Sequence, residues 1–425
     1  MTRVICSPAH LLPNTTSGGV DYFSLYSNPA RGDVGTIAPG WKDDLSRLGL
    51  NPSIQVWDFV SLALAVAAAD LTCLRAGSAD GWTRTIQLDV CLHDPEPWVA
   101  QQGALEQMLR FLTGDFWAIT LLPGGEPPPQ STSQLTVDAD CVSLLSGGVD
   151  SLVGAIDLTI AGRRPLFVSQ VAKGDRDTQL RFAQELHATN RHFQWNHRIR
   201  LIHPSERSTR GRSIVFFAFA ALASSAVHSA TQSTVEIFVP ENGFISLNVP
   251  LTPGRFGSFS TKTTHPVFLS RLQDIWNAVG IEAELLSPYK FKTKGELLED
   301  CTDKPLLQRL VGDSTSCGRF GYYNYTHCGR CVPCLVRRAS FIRAGFNDST
   351  PRYRFDDLRL SGRRTGANDI GAAAVAHLRA AEEGVARLFG GALSFANATD
   401  RSRYEGVVDR GLAELGELLR QHGVV

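Results

Sequence analysis

The stretch "CVSLLSGGVDSLVGAIDL", residues 141–158, decides how this chain is read. It opens with an apolar run, as a central parallel strand does when both of its faces are covered. Its last part puts Leu152, Ala155, Ile156 and Leu158 at helical spacing, and Gly162 follows as a stop. Between them stands Ser-Gly-Gly-Val-Asp. A strand that delivers a glycine turn to a helix N-terminus builds a phosphate site: the glycines let successive N–H groups converge, and the helix end adds partial positive charge. The same five residues occur at Ser17–Asp21, in "NTTSGGVDYFSLY" (14–26), without that context. "LLPNTT" before them is no buried strand, and "YFSLY" after them is strand-like. The first copy therefore reads as a turn. The second reads as a phosphate loop made of Ser146, Gly147, Gly148, Val149, Asp150 and Ser151.

Working outward, residues 141–349 alternate short apolar strands with longer helices. "PLFVSQV" precedes the helix of "TQLRFAQELHATN"; "RIRLIHP" and "VEIFVP" flank the helix of "GRSIVFFAFAALASSAV". This alternation predicts an α/β fold, a parallel twisted sheet with helices on both faces. Residues 1–122 read as a further α/β domain, with strands in "TRVICS", "RTIQLDVCL" and "FWAITLL" and helices in "WDFVSLALAVAAADL" and "WVAQQGALEQMLRFL". Residues 123–140, "PGGEPPPQSTSQLTVDAD", read as a linker, since proline, glycine and serine leave little to bury. Residues 350–425 read as a helical extension.

The chain has 425 residues, 43% hydrophobic and 20% charged, with a formal net charge of zero. No global field draws it to nucleic acid, which makes a nucleic-acid partner unexpected. No uninterrupted apolar run reaches the roughly 18 residues that span a bilayer, so "FVSLALAVAAADL" and "IVFFAFAALASSAV" read as buried helices and no membrane partner is expected. The N-terminus lacks the apolar core of a signal peptide, and a cytoplasmic location is the expectation.

In a reducing compartment cysteine spacing points to metal rather than disulfides. Of nine cysteines, four fall in "SCGRFGYYNYTHCGRCVPCLVRRASF" (316–341): Cys317, Cys328, Cys331 and Cys334. Two C-x-x-C steps bring three thiolates to one ion, and Cys317 can fold back as the fourth. Four sulfurs suit tetrahedral, structural Zn²⁺; an iron–sulfur cluster accepts the same ligands. Cys6, Cys73, Cys91, Cys141 and Cys301 are scattered and read as core. The aromatic "FGYYNYTH" between the metal cysteines reads as packing for the metal loop, with stacking on a planar ring as the other use.

"SGGVDS" after a strand resembles the PP-loop of ATP pyrophosphatases, and the lysine-bearing GxxxxGK[ST] loop is absent. With the cysteine cluster near the end of the same domain, residues 140–345 are similar to the cyano-deazaguanine synthase family. "TRGRSIVFFAFAA" resembles that family's PGRN stretch, "PYKFKTKGELLEDC" its lysine-containing stretch, and "CGRCVPCLVRR" its cysteine motif. The chain departs from the pattern in its long N- and C-terminal additions, in "QVAKGDRDT" after the second strand, and in Ser213 where the family has asparagine. Extended relatives occur in bacterial antiphage defence systems of the Qat and CBASS type.

The resemblance implies ATP-dependent adenylation of a 7-carboxy-7-deazaguanine-like carboxylate. Amide formation would follow, with a protein N-terminal amine from the same defence operon as acceptor. The alternatives are nitrile formation with ammonia, a tRNA-modifying PP-loop enzyme, and a binding subunit without turnover. Ser146, Gly147, Gly148, Val149 and Ser151 are then expected on the ATP phosphates and Asp150 on Mg²⁺. Lys294, Arg210 and Arg212 are expected on the α-phosphate, with Lys173 and Lys262 as lesser candidates. Glu241, Asn242 and His265 are expected to line the base site.

Overall fold

The computed structural model describes residues 2–171, 174–252, 262–359 and 369–425; Lys173 lies outside them. The first third carries strands β1 (Thr2–Ser7), β2 (Val20–Leu25), β3 (Gly35–Ile37), β4 (Thr85–Cys91) and β5 (Phe116–Leu122). Its helices are α1 (Trp41–Arg47), α2 (Ile54–Thr72), α3 (Glu96–Val99) and α4 (Gln102–Thr113). The middle runs β6 (Cys141–Leu144), α5 (Val149–Ile160), β7 (Pro165–Gln170), α6 (Arg176–Glu185), β8 (His192–Trp195), β9 (Ile199–Arg200), α7 (Ser213–Thr231), β10 (Val235–Phe238), α8 (Gly243–Leu247), α9 (Pro266–Val279) and β11 (Ala283–Leu286). The last part is helical: α10 (Lys294–Glu299), α11 (Lys304–Leu310), α12 (Val332–Ala344), α13 (Asp369–Glu383), α14 (Val385–Phe389) and α15 (Ala398–Gln421).

Two sheets result. One has the order β5-β4-β1-β2-β3-β9 and the other β11-β10-β6-β7-β8. In the first, β1 pairs parallel with β2 and β4, β2 with β3, and β4 with β5. Its edge strand β5 alternates exposed and buried residues, with Trp117, Ile119 and Leu121 inside, the period-2 signature of a strand covered on one face. In the second, β6 is buried along its whole length, as a central strand should be. Omitting β9, both sheets run third-second-first-fourth-fifth in chain order, the arrangement of doubly wound folds. They differ at the first crossover. Helix α5 connects β6 to β7, but only a short 3₁₀ turn (Ala9–Leu11) and a loop connect β1 to β2. The first SGGVD therefore turns at Gly19 (φ +79°) straight into β2, with no helix N-terminus to offer.

The chain forms two compact units. One comprises Met1–Val142, Phe193–Ile237 and Thr261–Leu285; the other comprises Ser143–His192, Phe238–Ser260 and Leu286–Val425. The sequence suggests consecutive segments, but β9, α7 and α9 join the N-terminal elements. "RIRLIHP" does not extend the loop-bearing sheet: β9 pairs antiparallel with β3, and the exposed Arg198 and Arg200 suit a short sheet edge. The 123–140 segment is pinned rather than free. Trp57 Nε1 donates to Glu126 O at 2.9 Å, Leu135 N to Gly49 O at 2.9 Å, and Val137 and Ala139 are buried.

Among the described residues, two helices are long and apolar enough to cross a membrane by length and composition: α2 and α7, each of 19 residues. Both exceed the apolar runs visible in sequence, because helix continues through polar positions such as Gln55, Asp58, His228 and Ser229. Of their apolar windows, 83% and 67% are buried, and the two helices pack on each other. In the second unit one core gathers α5, α6, α10 and α11 through Leu152, Phe182, Leu298 and Leu307. Another gathers α8, α12 and the C-terminal helices through Phe244, Leu335, Ala373 and Leu415.

Candidate nucleotide site and four-cysteine centre

The second SGGVD lies where β6 ends, beside β10 and at the reversal of strand order, where open α/β sheets bind ligands. Gly147 takes φ +89°, a conformation that an L side chain strains to adopt. Its carbonyl accepts from Thr315 N at 2.9 Å, and Ser146 O accepts from Gln179 Nε2 at 3.1 Å. Gly148 caps α5 without a side chain. Its N–H donates to Ser146 Oγ at 3.2 Å, Ser146 Oγ donates to Ser151 Oγ at 3.1 Å, and Ser151 Oγ donates to Gly148 O at 3.0 Å. The loop is held from behind while Ser146 itself is exposed.

The loop opens on a cavity of about 180 Å³ lined by Ser146, Gly148, Asp150, Glu241, Lys294 and Thr315, with Val149 and Ser151 also in its wall. Buried Asp150 is its electrostatic centre. Lys294 Nζ donates to Oδ1 at 2.5 Å, and Asn242 donates to Oδ2 twice, from N at 3.1 Å and from Nδ2 at 2.6 Å. Burial alone would raise the Asp150 pKa. The Lys294 charge, followed by hydrogen bonds from Glu241, Lys294 and Asn242, outweighs burial and pulls it to about 2. Glu241 moves the other way: burial first, then the Asp150 charge and their shared hydrogen bond, push it well above the usual carboxylate range. In the hydrogen bond the two carboxyls share, the neutral form is favoured on Glu241 and the charged form on Asp150. With these four donors the acceptor sites of Asp150 are filled, so this arrangement does not fit Mg²⁺ at Asp150.

Each partner has a local reason to be where it is. Asn242 follows β10 and caps α8, its Oδ1 accepting from Ile245 N at 3.0 Å. Lys294 is the first residue of α10, whose cap Thr293 forms a reciprocal capping box with Glu296. Ser146, Gly148, Val149, Asp150, Ser151, Glu241 and Lys294, all nominated by sequence, therefore meet in one cavity, with Gly147 and Asn242 supporting it. Gln179, Thr315 and Ser316 also belong to the site, but they lie far along the chain from the loop and carry no local sequence signal.

Arg210, Arg212, Lys262 and His265 belong to the other unit and are not in the cavity's lining. Arg210 is buried, its Nη1 donating to Thr113 O at 2.9 Å and its guanidinium 5.3 Å from the Trp82 ring centre. The backbone N–H groups of Arg210 and Gly211 both donate to Asp70 Oδ2 at 2.6 Å. Arg212 is exposed at the start of α7. Lys262 lies over the Phe111 ring, 4.3 Å from its centre. His265 caps α9: its Nδ1 accepts from Val267 N at 3.1 Å. Burial, then Lys262, lowers the His265 pKa to about 3.

The four cysteines converge as their spacing suggests. The Sγ atoms of Cys317, Cys328, Cys331 and Cys334 all lie within 4.8 Å of one another and are buried. The Cys317–Cys331 and Cys328–Cys334 separations are 3.9 Å. A tetrahedron with Zn–S bonds of about 2.3 Å has edges of about 3.8 Å, so the four sulfurs fit one metal ion such as zinc. Backbone N–H groups already point at them: Cys328 N to Cys317 Sγ at 3.3 Å, and Cys331 N to Cys328 Sγ at 3.2 Å. Such donors favour thiolate over thiol. Phe320 and Tyr323 pack on the cluster, while Tyr322 is 83% exposed. The other five cysteines lie buried outside the cluster.

No family model matches the chain, and no characterised protein is significantly similar to it.

Proposed function

We propose that the protein is an ATP-dependent C–N ligase that adenylates a carboxylate and passes the acyl group to an amine. The observation that carries this reading is the convergence of the glycine loop, Lys294 and the Asp150–Glu241 pair on one cavity at the sheet's switch point. A carboxylate does not condense with an amine at neutral pH, because oxide is a poor leaving group. Attack of a substrate carboxylate oxygen on the α-phosphorus of ATP breaks the bond to the β-phosphate oxygen and releases pyrophosphate. Attack of the amine on the acyl carbon then expels AMP, and the amine's proton is lost to solvent. The loop N–H groups and serine hydroxyls would bind the departing diphosphate, and Lys294 would face charge growing on the α-phosphate.

By the resemblance of residues 140–345 to cyano-deazaguanine synthases, the substrate class is a 7-carboxy-7-deazaguanine-like base. The resemblance to the extended antiphage branch implies a protein N-terminus as the acceptor. The cysteine centre would hold Zn²⁺ as a structural ion, beside the segment that supplies Thr315 and Ser316. The test is incubation with MgATP and carboxy-deazaguanine, followed by chromatography for AMP and pyrophosphate and intact-mass analysis of co-expressed small proteins. Substrate-dependent AMP with a mass adduct on a partner supports the reading. AMP with free cyano-base supports nitrile formation, and no AMP with either acceptor removes both.

A further inference from the structure

The two neighbours of Lys294 both stand against one carboxylate of the C-terminal helix. Thr293 Oγ1 donates to Glu414 Oε1, and the Gly295 backbone lies against the same carboxylate and lowers its pKa. Thr293 is wholly buried and Glu414 is 8% exposed. The approach requires glycine at 295: a Cβ there would stand 2.6 Å from Glu414 Oε1 and 2.5 Å from Arg343 Cγ. The Thr293 hydroxyl accepts from Glu296 N at 3.1 Å and donates to Glu414, so the Glu414 bond is made in addition to the cap. Helix α10 has six residues, too few to hold a fixed position by its own hydrogen bonds.

We infer that Glu414 is a positioning residue for Lys294: by fixing the backbone on either side, α15 sets where the Lys294 ammonium stands in the cavity. The catalytic consequence rests on the ligase reading; the positioning itself does not. The C-terminal extension thereby completes the cavity's construction without lining it.

The experiment uses full-length protein with Glu414→Ala and Glu414→Gln. Zinc content and melting temperature report folding. Modification of Lys294 by an amine-reactive ester, read by peptide mass mapping, reports its placement. Glu414→Ala should raise the Lys294 modification rate about tenfold by local opening. It should also lower kcat for AMP release about 100-fold while KM for ATP stays within about threefold. Glu414→Gln keeps one acceptor and should lie between, with a rate increase of about threefold; it decides the matter if the alanine variant does not fold. Unchanged Lys294 modification in a folded Glu414 variant overturns the inference. Absence of AMP from the unsubstituted protein would remove the ligase reading and leave the labelling result to judge positioning alone.

Discussion

Lys294 Nζ and Asp150 Oδ1 meet at 2.5 Å, with both side chains buried and the two residues 144 positions apart in sequence. Removing one member leaves the other charge buried without its partner. Asp150→Asn and Lys294→Met should each cost about 3–5 kcal/mol of stability, measured by urea unfolding. The double variant should lose clearly less than the sum, because no lone charge remains. Both single variants should also depress AMP formation by about 10²–10³-fold.

The two loop glycines should respond differently. A Cβ at Gly147 meets nothing closer than 3.5 Å but needs φ +89°, so Gly147→Ala should cost about 1–2 kcal/mol through backbone strain. At Gly148 the φ is ordinary and the Cβ stands 3.3 Å from both Ser146 Oγ and Thr315 O, inside the cavity wall. Gly148→Ala should leave the melting temperature within a few degrees while sharply weakening ATP binding by calorimetry.

Metal removal should act on structure before chemistry. Cys331→Ser, or prolonged chelation, should take zinc from one ion per chain to none by elemental analysis and lower the melting temperature by about 10 °C or more. Cys301→Ser, at a buried cysteine outside the cluster, should leave the metal content unchanged. Iron in place of zinc would reassign the centre as an iron–sulfur site.

Glu414 should also give stability a pH signature. Burial first, then Glu296, push its pKa up to about 7, against hydrogen bonds from Thr293 and Gly295 and the charge of Arg343 on α12. Between the ordinary glutamate value, about 4.3, and about 7, the folded chain binds this proton more tightly than the unfolded one. The contribution is thus complete below the lower value and lost as pH rises through the upper one. Glu414→Gln should flatten that fall in a pH series of melting temperatures.

Local chemistry was legible in the sequence; distant pairing was not. An apolar strand, a glycine turn and an amphipathic helix stand side by side in residues 141–158, so the loop could be found and told from its copy at Ser17–Asp21. The cysteines could be grouped because short spacing forces proximity. No local pattern, however, announces that Lys294 will answer Asp150, that Asn242 will turn its amide toward the same carboxylate, or that Glu414 will grip α10. The two-residue strand β9 is too short for any periodicity to place it. The proline-rich stretch at 123–140 looked unanchored because its backbone hydrogen bonds, unlike buried side chains, leave no trace in composition.

The helices that occupy matching places in the two strand orders meet in pairs: α2 with α7, and α4 with α9. In each pair the earlier helix shelters an apolar surface of the later one, much as a second subunit would. A protein shortened to begin at residue 141 would strip α7 and α9 of that shelter and turn their oily sides to water. The amino-terminal third thus behaves as a built-in companion, to be kept in any version of the chain meant for solution work.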